Sequence, residues 1–193
     1  MKHRKATAFV QELIRDRLKP GDIAVDATCG NGHDTLALAR AVGPQGLVYA
    51  ADIQLSAIDA ARRRLADHGP AVASVRWIEA CHSTLRARLE PEHLGHVAMT
   101  TFNFGYLPGG DKNLTTQCAS SLQAVQASLD WTAPGGLVSL AMYPGHPEGA
   151  KEASTLDAWA RSLDPRHYVA LEYRFLNLIN SPPFVIAIER ADV

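Results

Sequence analysis

Short apolar runs alternate with amphipathic segments along nearly the whole chain, and this alternation constrains the fold more than any other feature. Most of the apolar runs end at Gly, Pro or Asp, which is typical of buried strands in a parallel sheet. The predicted strands cover residues 23–27, 47–51, 75–80, 97–104, 137–143, 168–176 and 184–190.

The segments between these runs carry apolar residues at helical spacing. In the first segment, Val10, Ile14 and Leu18 fall near one face of a helix, and Pro20 just after it prevents its continuation. The predicted helices cover residues 6–18, 35–42, 56–68, 84–89, 115–129 and a last segment from 148 or 149 to 163.

Strand–helix alternation requires right-handed crossovers and produces a mostly parallel sheet. The last two strands have no helix between them, so they form a hairpin. We therefore predict an α/β fold: a Rossmann-like, doubly wound, mostly parallel seven-stranded sheet with helices on both faces and a C-terminal antiparallel hairpin. We expect a single domain over residues 1–193, on which an N-terminal helix within residues 1–20 packs.

The composition excludes several classes of protein. Hydrophobic residues make up 47% and charged residues 20% of the 193 residues, and the formal net charge is -1. The chain therefore lacks the overall basicity of a protein that coats nucleic acid. No apolar stretch reaches the roughly 18 residues of a membrane span, and the N-terminus lacks the features of a secretory signal. We expect a cytoplasmic protein that has no contact with a membrane.

Cysteine and histidine usage indicates neither a disulfide framework nor a metal centre. Cys29, Cys81 and Cys118 are odd in number and scattered. His93 and His96 flank a Leu-Gly pair, with no carboxylate at a ligand spacing. We therefore predict no metal.

The loop after the first predicted strand carries the strongest functional signal. Gly30 and Gly32 allow a tight turn and the close approach of a ligand, and a helix begins just after them. Asp52 follows Gly32 by twenty residues (52 minus 32) and ends the second strand, where an acid can bind both ribose hydroxyls of an adenosine. This pattern predicts an adenine-nucleoside cofactor, with NAD and S-adenosylmethionine both open.

Charge favours S-adenosylmethionine over NAD. Asp26 and Asp34 flank the turn, and two carboxylates would repel a pyrophosphate by several kcal/mol in a partly desolvated site. The same carboxylates attract the sulfonium and ammonium groups of S-adenosylmethionine. Thr35 also stands where the dinucleotide fingerprint has its third glycine.

Segment 26–35 resembles the first motif of class I S-adenosylmethionine-dependent methyltransferases, in which an acid precedes three alternating glycines. Here Thr28 replaces the first glycine. Together with segments 101–112 and 143–149, it resembles a narrower group, the small bacterial proteins labelled "putative rRNA methylases". Members of that group act as tRNA methyltransferases on the aminomethyl group of 5-aminomethyl-2-thiouridine at the wobble position.

The resemblance implies a cofactor site built from the loops after the first three strands. Asn31, Gly32 and Asp34 would hold the methionine end, and Asp52 and Gln54 the ribose and adenine. Cys81 and His82 would border the adenine, although His82 alone could equally be a half-buried structural histidine. The full predicted cofactor set is Asp26, Thr28, Gly30, Asn31, Gly32, Asp34, Thr35, Asp52, Ile53, Gln54, Cys81 and His82.

The acceptor side is predicted to contain Asn103, Tyr106 and His146. Asn103 follows the fourth strand, where amino-methylating relatives carry an Asn/Asp-Pro-Pro-aromatic motif, and Phe104 and Gly105 replace both prolines. An Asn carbonyl can orient an amine and an aromatic ring can stack on a base. Three candidates stay open for the proton acceptor: His146, a carboxylate such as Asp111, or water.

The predicted function is the transfer of a methyl group from S-adenosylmethionine to the aminomethyl group of a modified wobble uridine. The expected partner is the anticodon arm of tRNA, and a homodimer would help to span it. The alternatives are methylation of rRNA or of a small-molecule amine or hydroxyl. A third alternative is an NAD-binding protein or a non-catalytic cofactor sensor.

Overall fold

The computed structural model describes residues 5–69, 72–107, 109–111 and 114–192. Parts of two segments singled out above, residues 1–4 of the N-terminal segment and positions 108 and 112 of segment 101–112, lie outside the described residues. No helix within the described ranges is long and apolar enough to cross a membrane.

A seven-stranded sheet forms the centre of the molecule, with the strand order β3-β2-β1-β4-β5-β7-β6. All neighbouring strands pair in parallel except β7, which is antiparallel to both β5 and β6. This arrangement confirms the predicted fold. The strands are β1 (Ile23–Asp26), β2 (Leu47–Asp52), β3 (Ser74–Glu79), β4 (Val97–Asn103), β5 (Thr132–Met142), β6 (Tyr168–Tyr173) and β7 (Phe184–Arg190).

The helices lie between the strands in the order that the sequence predicts. Two short 3₁₀ helices, His82–Ala87 and Pro91–His93, follow β3 where one short helix was expected. The α-helices are α1 (Ala6–Arg17), α2 (His33–Val42), α3 (Leu55–Ala66), α4 (Cys118–Trp131) and α5 (Pro147–Arg161).

Both faces of the sheet are buried except at its edge strands β3 and β6, which explains the nearly continuous apolar runs of the other strands. In β7, Ile186 belongs to a core cluster that contains Leu156 of α5. Its neighbour Val185 belongs to the opposite cluster, which contains Ile14 of α1. The N-terminal helix therefore contributes to the core and closes one face of the sheet.

Helix α4 begins at Cys118 rather than at residue 115. Thr115 instead forms an antiparallel bridge with Tyr106, and the backbone N–H of Thr116 donates to the carbonyl of Gly105 at 2.9 Å. These tertiary hydrogen bonds hold the segment in an extended conformation, although its side chains are compatible with a helix.

Strand β5 begins at Thr132, five residues before the predicted start at 137. Its pairing with β4 shifts register between Val97 and Met99. The irregularity accommodates residues 133–136, whose Pro and Gly predicted a turn. β6 also ends earlier than predicted, at Tyr173.

The order of the strands creates a crevice at one edge of the sheet. β2 lies on one side of β1 and β4 on the other, so the loops that follow β1 and β4 lead in opposite directions. Ligands of doubly wound sheets bind at such a switch point, outside the carboxyl ends of the strands. The loops predicted to bind the cofactor and the acceptor all begin there.

The core of this sheet should be sensitive to lost volume. Leu140 in β5 is 0% exposed, and Leu140→Ala should lower the free energy of unfolding by about 2–5 kcal/mol. Leu176→Ala is the matched control, because Leu176 is 95% exposed and its truncation should change stability by less than about 0.5 kcal/mol. Urea denaturation measures both, and equal losses would contradict this description of the core.

Candidate functional site

A cavity of about 1140 Å³ opens at the carboxyl ends of the central strands. This volume is sufficient for a cofactor and part of a second ligand. Twelve of the predicted site residues line it: Thr28, Gly30, Asn31, Asp34, Asp52, Ile53, Gln54, Cys81, His82, Asn103, Tyr106 and His146. The structure therefore brings the predicted cofactor and acceptor residues into one space.

Three predicted cofactor residues lie behind the cavity wall and do not reach its surface. Asp26 and Thr35 are both 0% exposed, and the Thr35 hydroxyl donates to Asp26 Oδ2 at 2.5 Å. Gly32 is the N-cap of α2 with φ +77°, and a Cβ there would lie 2.6 Å from Ala61 Cα. These residues shape and support the loop, and their direct contact with a cofactor stays a prediction.

Asp26 is buried with two hydrogen-bond donors and no cationic partner among the described ion pairs. Besides Thr35, the backbone N–H of Thr28 donates to its Oδ1 at 3.4 Å. Burial, and to a lesser degree the nearby charge of Asp34, raise the pKa of Asp26 to about 7. At neutral pH this carboxyl is therefore divided between its protonated and its ionised forms.

Asp52 organises the glycine loop through its two oxygens. Oδ2 accepts from the backbone N–H of Gly30 at 2.9 Å, and Oδ1 accepts from that of Gln54 at 3.0 Å. Each carboxylate oxygen can accept more than one hydrogen bond, so Asp52 can hold the loop and bind ligand hydroxyls together. On the other side of the loop, Arg64 Nε of α3 donates to the carbonyl of Asn31 at 2.7 Å.

Asp34 connects three elements of the fold at the bottom of the cavity. Gln11 Nε2 of α1 donates to its Oδ1, and Asn103 Nδ2 at the end of β4 donates to its Oδ2 at 2.8 Å. Gln11, Thr7 and Ala8 line the cavity, so the N-terminal helix forms part of the site. The sequence prediction missed this contribution. Positions 7, 8 and 11 share one helix face, but that spacing alone does not distinguish a cavity from solvent.

Asn103 and the segment after it form the opposite wall. The backbone N–H of Asn103 donates to Thr28 Oγ1 at 2.6 Å, which joins this wall to the glycine loop. The backbone N–H of Gly105 donates to Thr116 Oγ1 at 2.8 Å. Tyr106 is 39% exposed, and its ring centroid lies 5.8 Å from that of His146.

His146 caps helix α5, and this role determines which nitrogen carries its proton. Its Nδ1 accepts from the backbone N–H of Gly149 at 3.1 Å, so a neutral ring must carry hydrogen on Nε2. Nε2 is buried and has no hydrogen-bond partner among the described residues. Neutral His146 therefore has no free nitrogen lone pair with which to accept a proton.

His82 lines the cavity and lies among aromatic rings. Burial lowers its pKa to about 4, so the ring is neutral at physiological pH. Its ring packs edge-on against Phe102 and Phe104, whose ring centroids lie 6.3 and 6.1 Å from that of His82. Its Nε2 lies 3.4 Å from Ser121 Oγ. Phe102 is a core residue at 1% exposure.

The structure also reveals a buried carboxylate that the sequence prediction missed. Glu152 of α5 is 1% exposed and accepts hydrogen bonds from the hydroxyls of Thr116 and Ser121. Among the described residues, no group of three or more His, Cys, Asp or Glu side chains could hold a metal ion.

Comparison with known proteins identifies relatives along nearly the whole chain. Residues 48–189 match the family described as "Putative rRNA methylase". A chloroplastic tRNA (mnm(5)s(2)U34)-methyltransferase from Arabidopsis thaliana is 36% identical over 197 residues, which cover 97% of this chain and 70% of that protein.

Solved structures show the same similarity in three dimensions. A "putative rRNA-methylase" from Clostridium thermocellum has a TM-score of 0.91 at 29% identity, covering 98% of this chain and 100% of that one. A "putative methyltransferase" from Streptococcus mutans, solved in complex with SAH, has a TM-score of 0.85 at 30% identity. That match covers 98% of this chain and 99% of the other.

The raised pKa of Asp26 predicts how the stability of the cofactor-free protein depends on pH. Because this pKa rises from 3.8 to about 7 on folding, the folded state holds the proton more tightly than the unfolded state. The contribution of Asp26 to the free energy of unfolding is therefore fully present below pH 4. It is lost as pH rises to about 7, and the loss amounts to up to about 4 kcal/mol.

Asp26→Asn should remove this pH-dependent contribution to stability. The variant should therefore gain stability relative to the wild type as pH rises from 4 to 7. Urea denaturation across that range measures the difference. Asp16→Asn, at an exposed position of α1, is the control and should keep the wild-type dependence on pH. If the free energy of unfolding depended on pH in the same way in the wild type and in Asp26→Asn, the raised pKa of Asp26 would be contradicted.

Proposed function

The chain belongs to the "Putative rRNA methylase" family, and from this premise we propose that it methylates the aminomethyl group of 5-aminomethyl-2-thiouridine at the wobble position of tRNA. The product would be 5-methylaminomethyl-2-thiouridine. The resemblance to class I methyltransferases is confirmed, and the cofactor is S-adenosylmethionine. The observation that carries the choice of tRNA is the A. thaliana relative, whose name specifies tRNA (mnm(5)s(2)U34).

The charges at the cavity fit this cofactor. Asp34 and Asp52 line the cavity, and buried Asp26 lies directly behind the loop. When bound, S-adenosylmethionine supplies an electrophilic methyl group on a positively charged sulfur. The same carboxylates would oppose the pyrophosphate of NAD, so the NAD-binding alternative loses its support.

The lining residues divide into two groups for the two ends of the cofactor. Asp52 would accept the ribose hydroxyls, and Ile53, Gln54, Cys81 and His82 would lie beside the adenine. Asn31 and Asp34 would hold the methionine end, where the ammonium group meets the Asp34 carboxylate. Thr28 and Gly30 shape the wall between these two groups.

Asn103 would orient the acceptor amine. Its nitrogen is used by Asp34, which fixes the amide plane and leaves the carbonyl oxygen as the acceptor for an amine N–H. The half-exposed ring of Tyr106 can stack on the uridine base. Aligning nucleophile, methyl carbon and sulfur contributes about 7–11 kcal/mol in favourable cases, so positioning by these residues supplies much of the catalysis.

Ribosomal RNA is the second candidate substrate, because the family description names it. A base in rRNA could use the same aromatic ring and the same amide carbonyl. The candidates differ in the nucleophile, since the tRNA precursor presents a primary alkylamine that is mostly protonated at neutral pH.

Two substitutions should separate cofactor binding from methyl transfer. Asp52→Ala should raise the Kd for S-adenosylhomocysteine at least about 100-fold, because charge-assisted hydrogen bonds contribute about 1.5–3 kcal/mol each. Asn103→Ala should keep that Kd within a few-fold and lower kcat about 100-fold. Calorimetry, circular dichroism and a methyl-transfer assay measure the outcomes, with exposed Asn177→Ala as the control. If Asn103→Ala lost both cofactor binding and methyl transfer, the acceptor site would lie elsewhere.

The substrate itself can be tested with RNA from cells that lack this protein. Mass spectrometry of their tRNA nucleosides should show 5-aminomethyl-2-thiouridine in place of its methylated form, and the purified protein should methylate that tRNA in vitro. rRNA from the same cells is the matched competitor. Methylation of the rRNA and not of the tRNA would reject the proposal in favour of the second candidate.

A further inference from the structure

We propose that Glu152, acting through the hydroxyl of Thr116, takes up the proton that the acceptor ammonium group must lose before it can attack the methyl group. This inference rests on the proposed function, because it requires an alkylamine as the nucleophile. A protonated amine has no lone pair, so the site needs a proton acceptor. Neither Asn103 nor neutral His146 has the chemistry to be one.

The position of Glu152 is unusual for an acid in a helix. It is 1% exposed, and none of the described ion pairs includes it. Its Oε2 accepts from the Thr116 hydroxyl at 2.8 Å and its Oε1 from the Ser121 hydroxyl at 2.5 Å. Buried carboxylates are costly unless paired or hydrogen-bonded, and here two hydroxyl groups and no cation stabilise the carboxyl group.

Thr116 connects this carboxylate to the cavity, and its orientation is determined by its partners. Its Oγ1 accepts from the backbone N–H of Gly105 at 2.8 Å, so its own hydrogen is directed at Glu152. Thr116 lines the cavity, whereas Glu152 lies behind it. A hydroxyl oxygen has two lone pairs, and the second one is available to a donor in the cavity.

Thr116 also lies in the part of the wall that the acceptor would contact. Gly105, its backbone partner, is two residues after Asn103, and the adjacent Thr115 forms a bridge with Tyr106. An amine held by the Asn103 carbonyl next to a base on Tyr106 would therefore meet this hydroxyl on the same side of the cavity.

The proton balance of the step is simple. An ammonium N–H gives its proton to Thr116 Oγ1, while the proton of Thr116 passes to Glu152 Oε2, so that the amine becomes neutral and Glu152 uncharged. The nitrogen lone pair then forms the new N–C bond while the C–S bond of S-adenosylmethionine breaks. The sulfur keeps the electron pair of the C–S bond. The product is a secondary ammonium, and Glu152 afterwards returns its proton to solvent.

The surroundings of Glu152 raise its affinity for a proton, which a general base requires. Burial raises its pKa, and the hydrogen bonds from Ser121 and Thr116 lower it in part. The other charged or titratable groups that act on it are His146 and Glu148, with His82 reached through Ser121. His82 is neutral at these pH values because burial lowers its pKa to about 4.

The test is the pH dependence of single-turnover methylation of undermodified tRNA between pH 6 and pH 10. Glu152→Gln and Thr116→Val should each lower the rate about 100-fold at pH 7. Their rates should then rise about tenfold per pH unit toward the free amine's pKa, near 10, so the defect shrinks at high pH. Thr116→Ser, which retains the hydroxyl, should restore most of the rate and the wild-type pH profile.

Two controls distinguish this role from structural damage. Asp157→Asn removes a surface carboxylate from the same helix, one that pairs with Arg161, and should keep the wild-type rate at every pH. The Kd for S-adenosylhomocysteine should stay within about twofold in all variants. A defect of equal size at every pH, or a wild-type rate in Glu152→Gln, would overturn the proposal.

The same experiment separates this inference from the proposed function. If the wild-type protein does not methylate the tRNA, the substrate assignment fails. If it does and the variants keep its pH profile, only the role of Glu152 fails. Should Glu152→Gln not fold, the Thr116→Val and Thr116→Ser pair still decides the question, because these variants leave the carboxylate in place.

Discussion

The geometry of the site depends on the hydrogen bonds that the Asp34 carboxylate accepts. It accepts from Gln11 of α1 and from Asn103 at the end of β4, and it stands in the first turn of α2. One side chain thus connects the N-terminal helix, the glycine loop and the wall that contains Asn103. Because Asn103 donates its side-chain nitrogen to this bond, its amide is oriented before any ligand binds, which would lower the entropic cost of alignment in the proposed reaction.

Concentrating acids at one edge of a sheet costs stability in the free protein. Asp26 is fully buried, and its pKa lies far above that of a free carboxyl because burial disfavours the charge. A cationic ligand over the glycine loop favours the ionised form of the same group. The arrangement therefore sacrifices some stability of the empty protein for selective binding of a positively charged cofactor, a trade that is common at functional sites.

Periodicity predicted every strand, the crossovers and the antiparallel hairpin, because burial on both sheet faces leaves a strong apolar pattern. It failed where tertiary hydrogen bonds override local preference. Residues 115–117 have helix-compatible side chains but extend to pair with Gly105 and Tyr106. Residues 133–136 read as a turn, yet β5 runs through them by shifting its register against β4.

By itself, the sequence determined the α/β fold, the loops that form the site, the cationic cofactor and the residue types that line the cavity. These features follow from local patterns: apolar period, glycines in a turn, and acids at strand ends. Only the tertiary structure decided that Asp26 lies behind the wall, that Gln11 belongs to the site and that Glu152 lies beneath Thr116. Those relations depend on side chains far apart in the chain whose contacts arise only when the helices pack on the sheet, and no local pattern encodes such distances.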